Sequence, residues 1–144
     1  LKFENILAEW EKDSIIDKTQ IDAESLKIPK LHHKYYTIYV TEKLTLHKLE
    51  SQLKLLKLEK YEFYTQGHNE DTLAKGWTMP AKGIILKADV NMYMEADKDI
   101  IDLSLKIGVQ KEKIEMLESI IKIITNRGFT LKTSLDFIKF MSGA

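Results

Sequence analysis

Residues 44–67, LTLHKLESQLKLLKLEKYEFYTQG, superimpose a leucine stripe, a lysine stripe and an aromatic terminus on one helix. Leu46, Leu49, Leu53 and Leu56 step by three and four, so they share one face of a 3.6-residue period and pack against protein. Lys54, Lys57 and Lys60 step by three along a neighbouring line, with Lys48 upstream, and run into Tyr61, Phe63 and Tyr64. Ammonium groups spaced along an axis neutralise successive phosphates, and aromatic faces stack exposed bases whatever their identity. These seven residues are therefore candidate contacts for single-stranded nucleic acid. Leucine with lysine is equally the pattern of a solvated amphipathic helix whose aromatics only close a core.

The rest of the 144 residues is consistent with an all-α protein of one domain. Proline and glycine are scarce, and lysine, glutamate, leucine and isoleucine dominate. With no cysteine there is no disulfide, thiolate metal site or cysteine nucleophile. No apolar run reaches the roughly 18 residues of a membrane span and no leader precedes a cleavage site, so a cytoplasmic protein is expected. The formal net charge is zero, but it is segregated. Residues 1–27 hold seven acidic side chains against four lysines, and residues 28–60 hold seven lysines against three glutamates. Such a dipolar chain binds a polyanion with one region while another keeps it soluble. Arg127 is the single arginine, which favours phosphate contact by point charge over bidentate reading of bases.

Periodicity and stop signals divide the chain. An acidic N-terminal helix lies within residues 1–20, with Phe3, Ile6, Leu7 and Trp10 on one side and a polar break at Asp13, Ser14 and Asp17. A long basic helix spans residues 22–66, starting near Asp22 or at Pro29. A loop occupies residues 67–83, and a second long helix of coiled-coil period spans 84–127. Its stripe is Ile100, Leu103, Ile107, Gln110, Ile114, Leu117, Ile121 and Ile124. Arg127 and Gly128 read as its C-cap, and a last helix covers residues 129–142. The two long helices form an antiparallel hairpin with apolar surface to spare. Ile114, Leu117, Ile120, Ile121, Ile124, Phe129, Leu131, Leu135 and Ile138 are the candidate contacts between copies of the chain.

No catalytic or metal constellation stands out. The histidines at 32, 33, 47 and 68 lack ligand spacing, and Glu95, Asp99 and Asp102 on one face read as a solvated acidic patch. There is no G-x-x-x-x-G-K-[ST] phosphate loop. No cofactor, no metal and no enzymatic activity are expected.

Several segments, taken in order, carry a resemblance. They are Trp10-Glu11-Lys12-Asp13-Ser14 with Ile16-Asp17, Leu26-Lys27-Ile28-Pro29, Tyr61-Glu62-Phe63-Tyr64-Thr65, Ala96-Asp97-Lys98-Asp99-Ile100, Gln110-Lys111-Glu112-Lys113 and Asn126-Arg127-Gly128-Phe129. Over essentially its whole length the chain resembles the UvsY family of recombination mediators from T-even-type and related marine phages. The resemblance implies a non-enzymatic protein of the infected bacterial host's cytoplasm, assembled as a ring of about six or seven subunits. Its implied partners are single-stranded DNA, a RecA-like recombinase and the phage single-stranded-DNA-binding protein. The family's basic motif falls on Leu58 to Tyr61, where Lys60 keeps the second basic position and Leu58 replaces the first. Glu9, Glu11, Asp13 and Asp17 are the expected partner-facing surface, because their charge repels a strand. The alternative from another class is a coiled-coil scaffold or adaptor that binds only proteins.

Overall fold

The computed structural model describes residues 1–143, and among them there are helices and no strands. The elements are α1 (Phe3–Asp13), α2 (Ile21–Leu26), α3 (Ile28–Gln66), α4 (Glu70–Ala74), α5 (Val90–Glu95), α6 (Lys98–Thr125) and α7 (Arg127–Met141). They form two compact units. One comprises Leu1–Leu44 and the residues from Lys111 onward, the other Thr45–Gln110.

In the first unit the core is Ile6 of α1, Tyr35 of α3, and Leu117, Ile120 and Ile124 of α6. Trp10 meets Tyr35 edge to face, ring centroids 5.5 Å apart, which adds a specific aromatic contact to the apolar burial. Tyr39 Oη donates to Glu118 at 3.1 Å, while Lys113 Nζ lies 3.4 Å from the buried Glu42 carboxylate. Rising numbers on α3 meet falling numbers on α6, so the two segments run antiparallel. In the second unit Phe63, Tyr64, Ile85 and Val90 form the core, with Tyr61, Trp77, Met79, Tyr93 and Met94 packed against it. The coiled-coil stripe of α6 is inward-facing as its period requires, with Ile100, Ile107, Gln110, Ile114, Leu117 and Ile124 all buried.

The boundaries differ from the sequence reading in ways that have local causes. Both expected starts of the long basic helix are used: α2 ends at Leu26 and α3 begins at Ile28, with Pro29 in the first turn, where a missing N–H is tolerated. Gly67, at φ +90°, stops α3 in the left-handed region that glycine enters without penalty. The segment read as loop holds α4, closed by a capping box in which Asn69 Oδ1 accepts from the Thr72 N–H and Thr72 Oγ1 from the Asn69 N–H. The second long helix is broken into α5 and α6, because Asp97 Oδ1 accepts from the Ile100 N–H and caps a new helix.

Arg127 and Gly128 do not close α6. They open α7, and Arg127 serves another helix: its guanidinium donates to the carbonyls of Asp13 at 2.9 Å and Ser14 at 3.2 Å, the free acceptors at the end of α1. Five of the nine candidate inter-copy contacts are also reassigned. Ile114, Leu117, Ile120, Ile124 and Leu131 are buried within the chain, because α1 packs with α3 on α6 and α2 packs against α7 where a bare hairpin would offer neither. Ile121 is half-buried against the same core.

Replacing Arg127 with alanine strands two carbonyls and removes a buried cation. Arg127→Ala is expected to lower the unfolding free energy by about 2 to 3 kcal/mol in urea denaturation followed by circular dichroism. Arg127→Lys, with one ammonium for two acceptors, recovers only part of the loss.

Candidate nucleic-acid interface

Lys48, Lys54, Lys57 and Lys60 look alike in the sequence, yet α3 places them on different sides. At about 100° per residue, Lys60 lies only roughly 20° from Leu53, one heptad earlier, whereas Lys54 lies roughly 100° from it and Lys57 roughly 40°, at the rim of the leucine face. Lys48, Lys54 and Lys57 are exposed. Lys57 borders an open hollow of about 560 Å³ that Met94, Ile100 and Leu105 also line. Lys60 occupies the next seam position after Leu56 and is 4% exposed.

A buried ammonium needs counter-charge, and the break between α5 and α6 supplies it. Lys60 Nζ lies 3.1 Å from Asp97 Oδ2 and 2.8 Å from Asp99 Oδ2, and stands 3.8 Å from the centroid of the Trp77 ring. Asp97 Oδ2 also accepts from Tyr64 Oη at 2.6 Å, and its other oxygen caps α6. Burial pushes the Asp97 carboxyl upward, but bonds from Tyr64, the Ile100 N–H and Lys60 outweigh it and hold the group below its ordinary value of 3.8. The Tyr64 hydroxyl is pushed well up by burial and by its bond to this carboxylate.

The structure therefore brings Lys60, Phe63 and Tyr64 together in the interior of the second unit and leaves Lys48, Lys54 and Lys57 on its surface. Phe63 is 1% and Tyr64 8% exposed, so neither ring offers the stacking face expected of it. The reason is register: both continue the leucine face. Tyr61 keeps partial exposure at its edge. Two residues the sequence reading passed over join this neighbourhood. Half-buried Trp77 meets Phe63 edge to face, and Lys75 pairs with Glu59 at 2.9 Å beside the same indole. An aromatic flanked by lysines in a Gly-Trp stretch was the available signal. Part of the acidic N-terminal surface is engaged within the chain, since Lys34 pairs with Glu9 at 2.7 Å and Asp13 at 2.6 Å, while Asp17 accepts from the neutral Thr19.

What the surface can do chemically is present an uncompensated line of ammonium groups. Lys54 and Lys57 take part in none of the salt bridges among the described residues, which on this stretch tie Lys60 to Asp97 and Asp99, and Lys75 to Glu59.

The chain matches, over residues 9–144, the family described as "Recombination, repair and ssDNA binding protein UvsY". It is 20% identical over 143 residues to the recombination protein uvsY of Enterobacteria phage T4, covering 99% of each chain. Crystal structures of the bacteriophage T4 recombination mediator protein UvsY are similar in fold. One, lattice type II, has a TM-score of 0.79 at 21% identity, covering 99% of this chain and 98% of that one. Another, lattice type IV, has a TM-score of 0.78 at 20% identity, covering 98% and 99%.

The buried pair makes two checkable statements. Lys60→Met leaves Asp97 without its cation and is expected to destabilise the protein by about 3 to 5 kcal/mol in urea denaturation. Because the folded pKa of Asp97 is depressed, its stabilisation is complete above 3.8 and is lost as pH falls through the lower folded value. Asp97→Asn should flatten the pH dependence of stability in that acid window relative to wild type.

Proposed function

Because this chain belongs to the UvsY family of recombination, repair and ssDNA-binding proteins, we propose that it is a recombination mediator. It binds single-stranded DNA and promotes loading of a RecA-like recombinase in place of the phage single-stranded-DNA-binding protein, in the cytoplasm of the infected bacterium. The observation that carries the strand-binding face is the exposed pair of neighbours Lys54 and Lys57 on α3, which enter no salt bridge among the described residues; Lys48 is exposed on another side of the helix. Tyr61, at the edge of the core, is the aromatic of the original set best placed to meet a base. Lys60, Phe63 and Tyr64 act through the scaffold: they fix the turn of α3 from which the contacting lysines project.

The mediator assembles as a ring-like homo-oligomer through α7. Leu131 points into the first unit at 3% exposure, while Phe129, Phe137 and Phe140 on the opposite side of the helix are 75%, 63% and 78% exposed. Three phenylalanines in water on one helical face favour a protein cover, while Leu135 and Ile138 share the Leu131 side of α7, toward α2. A ring repeats the lysine face along one strand, so weak sites gain avidity through effective concentration. Binding free energy, with no nucleotide hydrolysed by this chain, then drives displacement.

Substituting Lys54 and Lys57 together with alanine is expected to weaken oligo(dT) binding and reduce the log–log salt slope by ~0.7 per lost phosphate contact. An unchanged slope would remove them from the interface. Separately, Phe137→Ser with Phe140→Ser leaves the core intact and should reduce the assembly's size in sedimentation velocity and its apparent affinity for long oligo(dT). A full-size assembly in the double variant would refute the role of α7.

A further inference from the structure

The first unit contains a cleft whose chemistry differs from that of the strand-binding face. It is an open concavity of about 510 Å³, walled by the end of α1, α2, the start of α3 and the first residue of α7. Its apolar contribution is aliphatic: Ile15, 72% exposed just beyond α1, and half-buried Leu31 of α3. Two carboxylates line it, and both are already occupied. Asp13 accepts from Lys34 and from Tyr35 Oη at 2.8 Å, and buried Glu24 pairs with Lys27 at 3.1 Å.

The cations are not balanced in return. Lys12 and Lys30 are exposed at the cleft and enter no salt bridge among the described residues, and His33 stands exposed with them. Arg127 in the wall gives its hydrogen bonds to neutral carbonyls and acts on Asp13 through its charge alone, so five cationic side chains line the cleft against two carboxylates.

We propose that this cleft is a docking site for an acidic peptide carrying an apolar side chain, with Ile15 and Leu31 receiving the apolar group and Lys12 and Lys30 receiving the carboxylates. The shape and lining favour a peptide over a nucleic acid strand. A strand calls for aromatic stacking faces along an extended groove, whereas the only ring lining this cleft is the imidazole of His33. A compact aliphatic floor with a basic rim matches one buried side chain flanked by carboxylates, the charge complementarity that gives such an interface its specificity. The site is independent of the strand-binding reading, and a protein partner carrying such a segment could be held while α3 keeps its DNA.

The test is fluorescence anisotropy on the full chain with three labelled probes: a peptide of four aspartates followed by leucine and phenylalanine, the same peptide with both apolar residues replaced by serine, and oligo(dT). The acidic–apolar peptide is expected to bind wild type more tightly than the serine version. Lys12→Glu with Lys30→Glu should weaken it roughly tenfold, the scale expected when rim charges are reversed. Ile15→Ser, at an exposed position that folding does not need, should weaken it as well, while Lys54→Ala with Lys57→Ala leaves it unchanged and reduces only oligo(dT) binding. Absence of peptide binding, equal binding of the two peptides, or indifference to both cleft variants in protein shown folded by circular dichroism would overturn the proposal. So would loss of oligo(dT) binding on cleft charge reversal with no loss of the peptide, which would make the cleft part of the nucleic-acid interface. Failure of the Lys54 and Lys57 substitutions to affect oligo(dT) bears on the strand face alone.

Discussion

Lys60 sits where the helical period calls for an apolar side chain, and the second unit is arranged around satisfying it. Its ammonium lies within 3.1 Å of Asp97 and 2.8 Å of Asp99 and against the Trp77 ring. Withdrawing an ammonium from water costs several kcal/mol unless counter-charge and hydrogen bonds replace the solvent. Asp97 answers that demand and two others, capping α6 through the Ile100 N–H and accepting from Tyr64 Oη. One carboxylate thus fixes where α5 gives way to α6, holds the aromatic end of α3, and neutralises the lysine. A hydrophobic replacement at position 60 would leave this buried carboxylate without its cation unless Asp97 changed with it.

The first unit solves a comparable problem with a different set of groups. Lys34 gathers Glu9 and Asp13, Tyr35 donates to Asp13, and Arg127 ties down the carbonyl end of α1. Part of the acid near the start of the chain is in this way drawn into internal pairs, and lysines outside those pairs remain at the surface. Charge segregation along the sequence therefore does not become a simple acidic face and basic face. In each unit the relevant quantity is the charge left over after pairing: Lys54 and Lys57 on α3 in one, Lys12 and Lys30 beside Ile15 in the other.

Pairing also separates structural from functional roles within a short motif. Lys57 and Lys60 are three residues apart, but the first is solvated and free to meet phosphate while the second is enclosed. A variant at position 57 removes a solvated charge, whereas one at position 60 removes a buried cation and loosens the end of α3. Stability measured alongside binding distinguishes the two.

The sequence by itself determined the all-α class, the inward stripe of the second long helix from Ile100 to Ile124, the stop at Gly67, and the polar break after α1. Each rests on local chemistry or on a period that a single helix imposes on its own side chains. Family resemblance was legible too, because ordered short segments survive where overall identity is 20%. The heptad step from Leu53 to Lys60 was present in the residues and marked Lys60 as a seam position. What no local pattern contained was the partner, since Asp97 and Asp99 lie 37 and 39 residues further along the chain. The break at Asp97, the service of Arg127 to α1, the burial of Phe63 and Tyr64, and the outward turn of Phe129, Phe137 and Phe140 were settled by tertiary structure. The helical period fixes the angle at which a side chain leaves its axis, and only the folded chain decides what stands at that angle to meet it.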